Sequence, residues 1–201
     1  MPRAEQSFDP RAVVASLERH RVVCVVIGGL ARVLRGADEI TAGVDICPTY
    51  GPDNLERLTS AAAELGAVRA DGRELVLTDR GMSEEKVIAL STGFGALNIV
   101  GTPAGVARGC VDLRRAATRE NLGHGLQPYV ASAGDLAGMA AALHRDQDIA
   151  RLPELRRIME LEVDRQQTIA PPPAVRGSVR HALTIDRDRE RLEREGPTLE
   201  R

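Results

Sequence analysis

Apolar and polar positions repeat along this chain in two periods, and the switches between them lay out its elements. In "DPRAVVASLERH", Asp9 to His20, Val13, Val14 and Leu17 fall on one side of a helix. Asp9 before Pro10 starts it, because the carboxylate accepts first-turn N–H groups and proline suits the first turn. "VVCVVI", Val22 to Ile27, is an apolar run rich in β-branched residues, the pattern of a strand buried on both faces, and it runs into Gly28-Gly29. "LARVLRG" reads as a short helix stopped at Gly36. "EITAGVDIC" returns to period two, with Glu39, Thr41, Gly43 and Asp45 on one face and Ile40, Val44 and Ile46 on the other.

The region from Pro48 to Pro52 predicts a turn, and "DNLERLTSAAAELG" an amphipathic helix capped by Asp53, lined by Leu55, Leu58, Ala62 and Leu65, and ended by Gly66. "ELVLT", "KVIALST" and "GALNIVG" predict strands, and "PAGVARGC" a helical turn, with loops and short strands up to Tyr129. From Ser132 the pattern turns helical: "SAGDLAGMAAALHRDQD", with Ser132 and Asp135 as a capping pair, then "LPELRRIMELEVDRQQ". "APPP", Ala170 to Pro173, ends it, leaving a charged tail in which Val175, Val179, Leu183 and Ile185 are the packing candidates. The order predicts an α/β (α+β) chain with a small mixed sheet, flanking helices and a short helical C-terminal region. The expected division is an α/β core over 1–130, a helical region over 131–167 and a Pro-led charged tail over 168–201.

Composition narrows the function classes. Aromatics are 2% of the 201 residues, with no Trp, so base stacking on aromatic rings is disfavoured. The net charge of -2 supplies no basic field for nucleic acid. Positive charge is nearly all arginine, Lys86 being the one lysine. Cys24, Cys47 and Cys110 lack zinc spacing and read as buried reduced thiols. His20, His144 and His181 read as surface residues and His124 as a loop residue. No apolar run is long enough for a membrane span and no signal peptide opens the chain, so a cytoplasmic protein is expected.

One constellation stands out chemically. A strand ending in Gly-Gly lets backbone approach a ligand, and a helix just after it turns N–H groups toward phosphate. Thirteen residues separate Gly29 from Gly43, which opens "GVD". Taken alone, the Gly-Gly turn also fits tight packing, and Asp45 also fits a strand end that starts a turn before Pro48.

The stretch "VVIGGLARVLRGADEITAGVDICP" resembles the nucleotidyltransferase superfamily, and within it the abortive-infection type nucleotidyltransferase toxins of toxin–antitoxin systems, whose segment reads roughly "VVIGGLA…G…T.D.DI.P". "GALNIVGTPAG" is similar to the family's third-carboxylate strand, usually Gly-x-Leu-Asp. "DLAGMAAALHRDQDIARLPEL" is similar to its helix pair, "DL..MK…GR.KD…L.EL". The resemblance runs collinearly from about Arg19 to Leu155. It implies metal-assisted transfer of a nucleoside monophosphate from an NTP to tRNA or a protein hydroxyl. Carboxylates on adjacent strands would hold Mg²⁺ against the triphosphate.

Residue by residue, the resemblance gives Asp45 the role of metal ligand and catalytic carboxylate. Gly28, Gly29, Thr41, Arg145 and Asp148 take nucleotide-binding positions. Gly43 stands at the first carboxylate position, Asn98 at the third and Ala140 at the helix lysine, and His144 stands where glycine is usual. Glu39 shares the face of Gly43 but lies four residues back, roughly 13 Å along an extended strand. The expectation is therefore a nucleotidyltransferase-fold protein with weak Mg²⁺ binding and weakened or absent transfer. It keeps an NTP-sized cleft or an antitoxin-like protein partner. An active enzyme and an unrelated α/β binding module, whose Gly-Gly turn is packing alone, are the alternatives. Arg145 has two readings as well, a phosphate contact or a partner for Asp148 on its own helix.

Overall fold

The computed structural model describes residues 8–169. The tail residues Val175, Val179, His181, Leu183 and Ile185 lie outside the described residues. The described residues up to Glu162 belong to one compact unit, and residues 163–169, which are helical, to a second.

Seven strands form one mixed sheet in the order β3-β4-β5-β2-β1-β7-β6. They are β1 (Cys24–Ile27), β2 (Gly43–Pro48), β3 (Val68–Arg69), β4 (Val87–Thr92), β5 (Gly95–Val100), β6 (Thr118–Arg119) and β7 (Tyr129–Val130). The helices are α1 (Pro10–Arg19), α2 (Gly28–Leu34), α3 (Pro52–Glu64), α4 (Asp79–Glu84), α5 (Cys110–Leu113), α6 (Ala133–Leu143), α7 (Asp146–Ile149) and α8 (Leu152–Ile169). β2 is central: it runs antiparallel to β1, pairing Asp45 with Ile27, and parallel to β5, pairing Asp45 with Asn98 and Gly43 with Ala96.

The core is aliphatic, as the scarcity of aromatics requires. Val44, Ile46, Leu58, Leu97, Ile99 and Leu113 are fully buried. Val13, Val14 and Leu17 are buried from α1, and Asp9 accepts from the N–H groups of Arg11 and Ala12. α1 is tied to α3 by the buried Ser16 hydroxyl, which donates to the Ala61 carbonyl at 3.2 Å. Asn54 is buried too, and its amide is satisfied: Val23 N–H donates to its oxygen at 2.7 Å, and its nitrogen donates to the Val23 and Thr49 carbonyls. That side chain stitches the start of α3 to the segment leading into β1.

Several elements depart from the sequence pattern, each for a local reason. α3 is capped by Gly51, at φ 133°, with Pro52 first in the helix, so Asp53 sits inside the first turn instead of capping it. "ELVLT", Glu74 to Thr78, is irregular, while the two-residue β3 takes the edge position beside β4. β2 begins at Gly43, not Glu39. Glu39 is drawn off the sheet line by Arg32, at 2.9 Å, and Arg151, at 3.3 Å. Thr41 donates its hydroxyl to the Gly43 carbonyl at 3.1 Å, a local bond that competes with a ladder. Asp45 consequently lies inside a six-residue central strand, not at a strand end before a turn. The long helix expected from Ser132 breaks at His144, in the left-handed region at φ 52°, and restarts as α7. Its predicted start holds: the Ser132 hydroxyl accepts from Asp135 N–H at 3.1 Å.

Candidate functional site

Gly28 has φ 66°, a conformation that favours glycine, and a Cβ there would lie 1.9 Å from Asp45 Oδ2. The Gly-Gly turn and the strand carboxylate are thus in direct apposition, with fifteen residues of chain between Gly29 and Asp45. A Cβ at Gly29 would lie 2.7 Å from Thr41 Oγ1, so the second glycine makes room for Thr41 behind the turn. Thr41 is spent on that packing and on its bond to Gly43.

Asp45 faces Asn98 across the β2–β5 pair, and Asn98 Nδ2 donates to Asp45 Oδ1 at 2.7 Å. The amide meets the carboxylate with its nitrogen, the end that cannot ligate a cation. Gly43 adds no side chain, and its strand neighbour is Ala96, whose Cβ lies 3.0 Å from where a Cβ at Gly43 would stand. Among the described residues no cluster of three His, Cys, Asp or Glu side chains is arranged to hold a metal ion. Mg²⁺ prefers several oxygen ligands in near-octahedral array. One carboxylate already bonded to an amide N–H does not fit that requirement for an ion pair of the two-metal kind.

A cleft of about 650 Å³ opens in front of this group. Gly28, Gly29, Asp45 and Asn98 form one side, and α6 faces them with Leu136, Met139, Ala140 and Leu143. Ala140, at the position where the resemblance puts a lysine, is buried and leaves that wall apolar. Four cationic side chains also line the cleft: Arg32, Lys86, Arg145 and Arg151.

These arginines belong to one network. Arg32 and Arg151 both hold Glu39, and Arg151 and Arg145 both hold Asp148, at 3.4 and 2.5 Å. Asp148 is buried at 3% exposure, which two guanidinium partners make tolerable. Of the two readings of Arg145, pairing with Asp148 is present. Yet Arg145 bonds through Nε and its side chain stays 56% exposed, which leaves its outer edge toward the cleft. Cations outnumber carboxylates around the cleft even with Glu39 included.

The structure therefore brings Gly28, Gly29, Asp45, Asn98, Ala140, Arg145 and Asp148 to one cleft and sets Thr41 behind it. Sequence reasoning missed Arg32, Arg151 and Lys86 as cleft residues. Two of them carried a signal. Arg32 follows Gly28 by four residues on a helix, and Arg151 follows Asp148 by three, so each shares a face with a residue already singled out. Lys86 lies just before β4, and only the tertiary fold carries that strand start to the cleft.

No family model and no curated protein matches the chain. Among solved structures, the chain is similar to the antibiotic-resistance factor ANT(2'')-Ia, with a TM-score of 0.50 and 11% identity over 90% of this chain and 94% of that one. A candidate nucleotidyltransferase from Thermotoga maritima, TM1012, aligns with a TM-score of 0.43 and 17% identity, over 79% of this chain and 89% of that one. At such identities the likeness concerns architecture, and the architecture is that of a mixed α/β nucleotidyltransferase-like fold.

Proposed function

We propose that this protein binds a nucleotide, or a ligand with the same polyphosphate chemistry, in the cleft between the Gly-Gly turn and α6, and that it does so without the two-metal transfer chemistry its fold can host. The carrying observation is the 2.7 Å bond from Asn98 to Asp45. It satisfies with a neutral amide the carboxylate that the resemblance assigns to a metal. Arg32, Lys86, Arg145 and Arg151 supply the positive charge that a phosphate chain needs, and guanidinium groups match phosphate geometry well. Gly28 lets the backbone come close, and the apolar face of Leu136, Met139 and Leu143 suits a base or sugar edge.

Calorimetric titration with ATP, with and without Mg²⁺, tests the reading. Binding is expected in both conditions, and Arg145→Gln with Arg151→Gln is expected to weaken it by about tenfold or more. An absolute Mg²⁺ requirement, or no binding at all, overturns it. Rebuilding the carboxylates with Gly43→Asp and Asn98→Asp is paired with Ala96→Gly, which removes the Cβ that would lie 3.0 Å from the new one and leaves only the residue-96 carbonyl, at 3.2 Å, close to it. That triple variant is expected to bind ATP more tightly with Mg²⁺ than without.

A second reading rests on Asp45 sharing a cleft with Gly28, Gly29 and Arg145. In it, a single-carboxylate site supports Mg²⁺-dependent transfer of a nucleoside monophosphate to tRNA or a protein hydroxyl, as in the toxin-type enzymes. Label transferred from α-labelled ATP by the wild type, and lost in Asp45→Ala, establishes that reading and retires the first. An antitoxin-like protein partner acting at this cleft would compete with ATP in the same titration.

A further inference from the structure

A second cavity, of about 480 Å³, shares no lining residue with the cleft. It lies between the end of α1, the edge of β1 and the β6–β7 pair. Val22 and Val23 give it an apolar wall backed by the buried Val14 and Leu17, and Arg21, Arg114 and Arg119 bring three guanidinium groups to it. Arg114 and Arg119 both sit over the ring of Tyr129, at 4.4 and 4.9 Å from its centre.

These three arginines differ from the others that shape the fold. Arg32, Arg35, Arg69, Arg145 and Arg151 each hold a carboxylate. Among the described residues, no carboxylate lies within ion-pair distance of Arg21, Arg114 or Arg119. Glu120, next to Arg119 in sequence, is turned to Arg35 at 2.8 Å. Glu18, the one carboxylate lining the cavity, accepts from Gln127 N–H at 3.1 Å. Cys24 lines it as well, but burial, above all, pushes its thiol up to about 12, so it adds no negative charge at neutral pH. Arg21 itself has φ 55°, a conformation that costs a non-glycine residue energy. Such strain persists where the surroundings fix it, often at ligand-binding positions.

We propose that this cavity is a binding site for a small phosphomonoester, whose phosphate is held by Arg21, Arg114 and Arg119 and whose organic body lies on the half-buried side chains of Val22, Val23 and Tyr129. A phosphate dianion matches an excess of cations over the single Glu18, and planar guanidiniums offer it paired N–H donors. Stacking on Tyr129 holds two of them in place before the ligand arrives, which reduces the entropy lost on binding.

The protein supplies its own reporter. It has no Trp and two tyrosines, so Tyr50→Phe leaves Tyr129 as the sole tyrosine. The hydrogen bond and charge of Arg119, with a smaller contribution from Arg114, hold the Tyr129 phenol below its ordinary range. A bound dianion offsets those charges, so the phenol should titrate at higher pH. Phenolate absorbance of Tyr50→Phe would be followed against pH with inorganic phosphate, phenyl phosphate, or KCl at matched ionic strength. The expected result is a saturable upward shift with both phosphates and none with KCl, and phenyl phosphate half-saturating at about tenfold lower concentration.

Calorimetry of phenyl phosphate on the otherwise unaltered protein gives the second arm. Arg114→Gln with Arg119→Gln is expected to weaken binding by about tenfold or more, and the rim change Arg21→Gln by a smaller factor. Arg145→Gln, in the other cleft, should leave it unchanged, which separates this site from the nucleotide cleft. Equal shifts with KCl, no saturation, or wild-type affinity in both the double variant and Arg21→Gln overturn the proposal. Equal half-saturation by the two phosphates overturns the phosphomonoester in favour of free phosphate.

Discussion

Asp45 and Asn98 form a closed pair in the centre of the sheet. In a strand pair, directly opposed side chains share one face, so a carboxylate at 45 meets whatever stands at 98. The amide donates to it, so one carboxylate oxygen has a hydrogen-bond partner that is not a cation. Asn98→Asp would remove that donor and set two carboxylates against each other. We expect a loss of about 1–3 kcal/mol in urea unfolding, because a part-buried acceptor loses its partner and gains a like charge. Added Mg²⁺ should recover part of the loss if Asp45 can share an ion with the new carboxylate; no change in stability would show that the pair carries no weight. Gly43 is set by the same strand pair. The space a side chain would use is filled from Ala96, so the glycine and the alanine act as one packing unit.

At the scale of elements, the break between α6 and α7 shapes the far wall of the cleft. α6 ends with His144 in the left-handed conformation, φ 52° and ψ 23°, where a glycine is the least strained residue. His144→Gly is expected to stabilise the protein by about 0.5–1 kcal/mol in thermal or urea unfolding. The gain will be smaller to the extent that the bond between His144 Nδ1 and the Ala142 carbonyl matters. Beyond the break, Arg145, Asp148 and Arg151 tie α7 and the start of α8 to α2 and the loop before β2 through Glu39 and Arg32. The chain thus builds a basic wall from elements far apart in sequence. The carboxylates in it hold the arginines in position more than they cancel them.

At the scale of the whole molecule, the three free cysteines report the integrity of the core. Burial, above all, raises the Cys24 thiol to about 12 and the Cys110 thiol to about 11, and raises Cys47 as well. A thiol whose pKa is raised in the folded state favours folding fully below its unfolded pKa of about 9. That contribution is lost as pH rises from there toward the folded values, since the unfolded chain then releases protons that the folded chain keeps. Stability should accordingly fall between about pH 9 and pH 12, and less steeply in Cys110→Ala once its packing cost is subtracted. At neutral pH a thiol reagent should react slowly with the native protein and fast in urea. Fast native labelling of all three would contradict the core as described.

Local order was legible in the chain wherever one segment carried its own signal. Asp9-Pro10, the Val13–Leu17 stripe, the β-branched run into Gly28-Gly29 and the Ser132–Asp135 cap each specify an element through neighbours a turn or less away. The resemblance carried by the Gly-Gly and "GVD" motifs implied that this turn and this strand would meet, and Gly28 does lie against Asp45. Tertiary structure decided the rest, because it depends on pairings that no local pattern encodes. It set β2 to begin at Gly43 once Glu39 found its arginines, left Glu74–Thr78 without a ladder partner, and put β3 at the edge. It also turned the Asn98 amide onto Asp45, and gathered Arg32, Lys86 and Arg151 from three separate segments into one cleft. Nothing in the local sequence singles out Arg21, Arg114 and Arg119. Only the folding of α1, α5 and β6 around Tyr129 leaves them together and without carboxylates, since an ion pair is a fact of distance in space and not of spacing along the chain.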